Sequence, residues 1–148
     1  MKKFLLAAVV AAVSVLSVAS LASGHTNAKT LKFSASLNVG QEIPHAKGTK
    51  AGAIGHFDAT LSGTTLTWTL TFAHLSGPAT AAHIHTGVKG KSGPVLISLC
   101  GPCSSGAKGT ATVTAAQVKL MKSGGLYVNV HTAKNPNGEI RGQINTAM

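Results

Sequence analysis

Acidic residues are scarce in this chain. Of its 148 residues only Glu42, Asp58 and Glu139 carry carboxylates, against 13 Lys and Arg and seven His. A carboxylate pair for general acid–base catalysis, or the oxygen-rich cage that calcium needs, is therefore not expected. Aromatics are also few, with one Trp, one Tyr and four Phe. The lysines are spread along the sequence, so no basic surface interleaved with stacking rings is available for nucleic acid. Only two cysteines occur, and the lack of a third argues against a cysteine-type structural zinc site. No G-x-S-x-G string, phosphate loop or zinc-protease motif is present. No enzyme activity is expected, and a redox or dismutase-like reaction is the least favoured reading.

The one long apolar run lies at the start. Met1-Lys2-Lys3 is a short basic opening, Phe4 to Val18 is almost wholly apolar, and Ala19-Ser20-Leu21-Ala22 is small and weakly polar. This is the three-part pattern of a secretory signal peptide over residues 1–22. Cleavage after Ala22 is favoured, cleavage after Gly24 is second, and a retained membrane anchor is the less favoured reading. The expected location is secreted or periplasmic, with no stable membrane insertion after cleavage. Residues 23–29 read as a flexible leader and 30–148 as one β domain. Cleavage after Ala22 leaves 126 residues carrying eleven Lys and Arg against three acids, a net charge of +8. Such a protein can meet anionic lipid, polysaccharide or another envelope ligand.

Both cysteines fall in Cys100-Gly101-Pro102-Cys103. An oxidising compartment makes a small loop-closing disulfide the first expectation. Thioredoxin-like redox chemistry would need a helix after the first Cys, and Ser104-Ser105-Gly106 offers none. Redox catalysis and Cu(I) binding by the thiols are the two minor readings.

Alternation of apolar and polar residues dominates the remainder. Leu66, Trp68, Leu70 and Phe72 alternate with Thr65, Thr67, Thr69 and Thr71, and Leu126, Val128 and Val130 alternate with Tyr127, Asn129 and His131. Period two marks half-buried strands, and the apolar set containing Trp68 reads as core. The pattern predicts strands over about 30–39, 51–61, 64–72, 80–86, 94–99, 107–113, 125–132 and 138–145. Ser62-Gly63 reads as a tight hairpin and Asn135-Pro136-Asn137-Gly138 as a turn. Thr114-Ala115-Ala116-Gln117 has the form of a capping box, predicting one short helix over about 115–122 that Gly124 ends. The expected fold is all-β: an antiparallel Greek-key β-sandwich or flattened barrel of about eight strands with one short helix.

Ala82-His83-Ile84-His85-Thr86-Gly87 places two imidazoles on one face of a strand, and His131 lies on the polar face of another. Three imidazoles from adjacent strands suit Cu(II) or Zn(II). The plainer alternative is that these histidines are solvated or hydrogen-bond to Thr and Asn neighbours. Tyr127 and Asn129 can bond imidazole N–H groups from behind or bond across strands. Glu139 and Arg141, two residues apart, read first as a surface ion pair. The second reading sets Arg141 beside the histidines, where it orients a ligand or anion. A separate metal site is available at the leader. Cleavage after Ala22 gives Ser23-Gly24-His25, whose amine, amides and imidazole can wrap Cu(II) or Ni(II) in a square plane. Cleavage after Gly24 leaves His25 first, able to chelate through amine and ring.

"AHIHTG" followed by "GLYVNVHTAKNPNGEIRGQI" resembles the two hallmark segments of the chordin-type (CHRD) domain, and "GQEIP" and "LSGPATAAHIH" fit the same pattern. The similarity spans about residues 30–145. It implies a secreted protein with a β-sandwich-like fold, in a family whose biochemical roles are mostly unassigned. By position His83, His85 and His131 carry the family's histidines, and Glu139 and Arg141 its "GEIRG" pair. The chain departs from the pattern at Glu42-Ile43-Pro44-His45, where the family more often has "EVPP". His45, His56 and His74 are particular to this chain. In arrangement alone, a strand H-x-H with a late third His and an Arg is similar to the copper site of copper–zinc superoxide dismutase. The bridging histidine and zinc-site Asp of that enzyme have no counterparts here, so only the metal preference, copper before zinc, follows.

Overall fold

The computed structural model describes residues 29–147. The expected signal peptide, most of the leader and His25 lie outside the described residues. The elements follow in the order β1 (Leu31–Asn38), β2 (Ile54–Ser62), β3 (Thr65–Ala73), β4 (Ala79–Thr86), β5 (Val95–Cys100) and β6 (Ala107–Thr112). The helix α1 (Ala115–Lys122) comes next, then β7 (Leu126–Thr132), β8 (Ile140–Gln143) and β9 (Asn145–Thr146). All pairings are antiparallel, in one sheet of order β5-β4-β7-β8-β1-β2-β3-β6, with β9 beside β1. The end strands β5 and β6 approach each other, so the sheet curls into a nearly closed barrel. The flattened barrel is thus the observed form of the expected fold. The connections β3 to β4 and β6 to β7 skip neighbouring strands.

Local chemistry explains the element ends. The β2–β3 hairpin closes on Gly63-Thr64, one residue later than expected, with Ser62 paired to Thr65. Gly63 adopts φ 59°, a conformation costly to any residue with a Cβ. Thr114 caps α1: its hydroxyl accepts from Gln117 N, and the Gln117 side chain accepts from Thr114 N. Both halves of the expected capping box are therefore made. Gly124, at φ 67°, turns the chain away from the helix.

Inside the barrel, Phe33, Phe57, Leu66, Leu70, Ile84, Val128 and Ile140 are fully buried. Burial of each large side chain contributes about 1.5–3 kcal/mol. Trp68 belongs to this core, as its alternation required. It packs over Gly109 of β6, where any Cβ would strike the indole ring. Cys100 and Cys103 are joined in a disulfide, and Cys103 N donates to Ala79 O at 3.1 Å. The loop after β5 is so tied to the start of β4. Among the described residues no helix is long and apolar enough to cross a membrane.

The predicted strand 138–145 is broken in two. Gly142 of β8 lies against the β1 backbone at Ser36, a spacing that a side chain would prevent. Beyond it Ile144 turns inward between β8 and β9, its N–H bonded to Leu126 O. The two halves of the barrel also differ in cover. On β2 and β3 most outward residues are exposed, whereas every residue of β7 is buried.

Candidate metal centre

The outward face of β4, β7 and β8 is polar yet covered. From Ala81 to Thr86 the pairing of β4 to β7 is regular, setting His83 opposite Asn129 and His85 opposite Tyr127, with Ala81 opposite His131. The diagonal from His83 to His131 is thus one strand across and two residues along. On the other side, the β4–β5 register shifts between Ala82 and His83 and again between Ile84 and His85. Such irregularities re-aim side chains.

His83, His85 and His131 converge. Each offers a ring nitrogen within 4.8 Å of the others'. His83 Nδ1 and His131 Nε2 are 3.0 Å apart. Nitrogens about 2.0–2.1 Å from a tetrahedral ion stand about 3.3 Å from one another, so side-chain movements would be needed for the three to hold one ion. His85 and His131 are 9% and 8% exposed and His83 is half-buried, so the cluster opens to solvent on the His83 side.

Backbone carbonyls set the tautomers. His85 Nδ1 lies 3.0 Å from Gly93 O, and His131 Nδ1 lies 2.9 Å from Pro136 O. A carbonyl only accepts, so both Nδ1 atoms carry hydrogen and both Nε2 atoms present lone pairs. His83 Nδ1–H then donates to His131 Nε2. His85 Nε2 is buried with no hydrogen-bond partner, an orphaned lone pair facing two other imidazoles.

The environment keeps the rings neutral. Burial lowers the pKa of His83 and His85 and brings His131 down to about 4. For His85 the carbonyl of Gly93 opposes that shift, while the positive charges of His83 and Arg141 reinforce it. Neutral imidazole is the form that binds metal.

The neighbours differ from expectation. The imidazole N–H groups are taken by Gly93 and Pro136, not by Tyr127 or Asn129. Tyr127 instead stacks flat on His85, with centroids 5.0 Å apart and planes at 8°. Its hydroxyl accepts from Gly93 N at 3.3 Å. Asn129 donates through Nδ2 to the buried carboxylate of Glu42, whose other oxygen accepts from Ile43 N. Burial raises the pKa of Glu42, against the pull of those hydrogen bonds and of Arg141.

Glu139 and Arg141 are not a surface ion pair. Both are buried, and among the described residues the one ion pair is the exposed His56–Asp58. Glu139 precedes β8 and accepts from Ser76 N at 2.5 Å, Ser76 Oγ at 2.6 Å, Thr132 Oγ1 at 2.5 Å and Asn135 Nδ2 at 3.3 Å. Burial pushes its pKa up, but these donors outweigh that and hold it below the usual carboxylate value. Arg141 lies over the Tyr127 ring, its guanidinium carbon 3.4 Å from the centroid. Its Nη2 donates to Val88 O at 3.3 Å and Lys91 O at 2.6 Å. Arg141 therefore packs on Tyr127, which stacks on His85, and its charge acts on His85 through space.

Glu42, Ser76, Gly93 and Pro136 were missed as contributors to this layer. The Glu42-Ile43-Pro44 segment was a visible signal, and so was the scarcity of acids. The two carbonyls leave no signal in residue type. His45, His56 and His74 are all exposed and stand apart from the cluster.

Fold and site define a small all-β module with a covered polar layer that gathers three imidazoles. The chain belongs to the CHRD domain family, whose model matches residues 33–144. No curated protein and no solved structure matches it.

Proposed function

We propose that this CHRD domain is an exported metal-binding module, holding one ion through His83, His85 and His131. The observation that carries the reading is the orphaned Nε2 of His85, fixed as a lone pair by the Nδ1 bond to Gly93 O, on a residue whose ring joins a cluster of three imidazoles with nitrogens within 4.8 Å of one another. Three neutral nitrogens and no thiolate or carboxylate favour copper, since Cu(II) stands above Zn(II) in affinity for such ligands. Zinc is the second choice. Export is supported by the basic and apolar N-terminal pattern and by the disulfide. The module works by holding metal rather than by turnover, because no acid–base pair or nucleophile accompanies the cluster.

The test is a titration of Cu(II) and Zn(II) into the processed chain, with its N-terminus fixed by intact mass. A form starting at Lys29 and a form with His83→Ala and His85→Ala run beside it. Tight binding that survives loss of the leader and disappears with the two substitutions supports the reading. Binding lost with the leader moves the metal to Ser23-Gly24-His25. Absence of binding in every form leaves a metal-free binding module of the cell exterior.

A further inference from the structure

Arg141 is a buried cation without a matching anion. It is 2% exposed, has no carboxylate within salt-bridge distance, and its Nη1 has no hydrogen-bond partner. Glu42 acts on it only through space, its oxygens being taken by Ile43 N and Asn129. A guanidinium removed from water with unfilled donor capacity is costly unless an anion completes it.

Arg141 forms part of the wall of a cavity of about 130 Å³, with Gln41, Ile43 and Lys89. That is room for one carboxylate, sulfate or phosphate group and little more. The cavity shares Gln41, Lys89 and Gln143 with a larger open groove of about 610 Å³. Along this groove lie Ser34, Ser36 and Asn145, on β1 and β9. Hydroxyls and amides dominate, and neither cavity is lined by a carboxylate or an aromatic ring. Without rings a nucleobase has nothing to stack on. Without a broad apolar floor an acyl chain has nothing to cover. The groove beside α1 is the opposite case, with Leu31, Leu61, Val113 and Val118 on its walls.

We propose that this cleft binds an anionic sugar, its oxyanion seated against Arg141 and Lys89 and its hydroxyls bonded to the Ser, Gln and Asn side chains of the groove. The site lies across Tyr127 from the three histidines and does not depend on the metal reading.

The test is an NMR titration of the metal-free, naturally processed chain at physiological salt. The probes are a uronic-acid tetrasaccharide, a sulfated tetrasaccharide, a neutral tetrasaccharide and a short polyglutamate. One or both acidic sugars should shift the signals of Gln41, Lys89 and Gln143, and which of them does so separates carboxylate from sulfate as the source. Lys89→Ala should weaken binding about fivefold, the loss of one charge-assisted contact. Lys119→Ala, which removes the same charge beside α1, should leave affinity unchanged. The proposal is overturned if neither sugar binds or if the neutral sugar binds equally. It is also overturned if polyglutamate competes at equal strength, or if Lys119→Ala matches Lys89→Ala. None of these results bears on metal binding, which is absent from the experiment.

Discussion

Strands β3 and β7 carry the same pattern and meet different fates. Each alternates apolar and polar residues, and each turns its apolar set into the barrel. On β3 the outward threonines are largely exposed, while on β7 the outward Tyr127, Asn129 and His131 are all buried. Loops make the difference. Residues 42–53, 87–94 and 133–139 fold over β7 and its neighbours, supplying Glu42, Gly93 and Pro136 to the polar layer. A polar face under cover must satisfy its own hydrogen bonds, so this half of the molecule trades tolerance for defined geometry. That trade fixes the imidazole tautomers.

The contrast can be broken most severely at Glu139. Glu139→Ala leaves four donors from Ser76, Thr132 and Asn135 without their acceptor, and about 3 kcal/mol or more of stability should be lost in urea denaturation. Gly138→Ala should follow closely. Gly138 has φ 129°, and a Cβ there would collide with both Asn129 and Glu42, for a loss of about 2–3 kcal/mol. A pH series sharpens the comparison further. Because the folded pKa of His131 lies near 4 and its unfolded value near 6.5, the unfolded chain takes up the proton first. Stability should be full above pH 6.5 and fall as pH drops from 6.5 toward 4, by about 2–3 kcal/mol from this group. His131→Asn should flatten that fall; an unchanged profile would mean that the ring is not buried as described. The smallest effect belongs to the β2–β3 pair. Thr60→Ala or Thr67→Ala, opposite each other on the exposed face, should change stability by no more than about 0.5 kcal/mol.

Most of the barrel was legible because alternation and turn chemistry are local. The helix lies where Thr114 and Gln117 marked it, and the turn at Asn135–Gly138 separates β7 from β8 as its residues required. Pairing His83 with His85 on one face followed from period two, and the third imidazole of the cluster followed from the polar face of β7. Alternation says which side chains share a face, and it is silent on what covers that face. Glu139 and Arg141 were accordingly read as a surface pair, although Glu139 bonds a loop 63 residues away in sequence and Arg141 bonds carbonyls 50 and 53 residues away. Such contacts depend on the closed barrel, and their acceptors are often main-chain atoms that any residue type supplies.

If the cluster takes up an ion as proposed, the carbonyl clamps on His85 and His131 would also set the proton inventory of loading. Both rings already present bare Nε2 atoms, and all three imidazoles are uncharged near neutrality. An ion held through His83 Nδ1 would need that ring's proton to move to Nε2, and would expel none to solvent. Calorimetric enthalpies of loading should therefore agree, once corrected for metal–buffer complexes, between buffers whose own heats of ionisation differ widely.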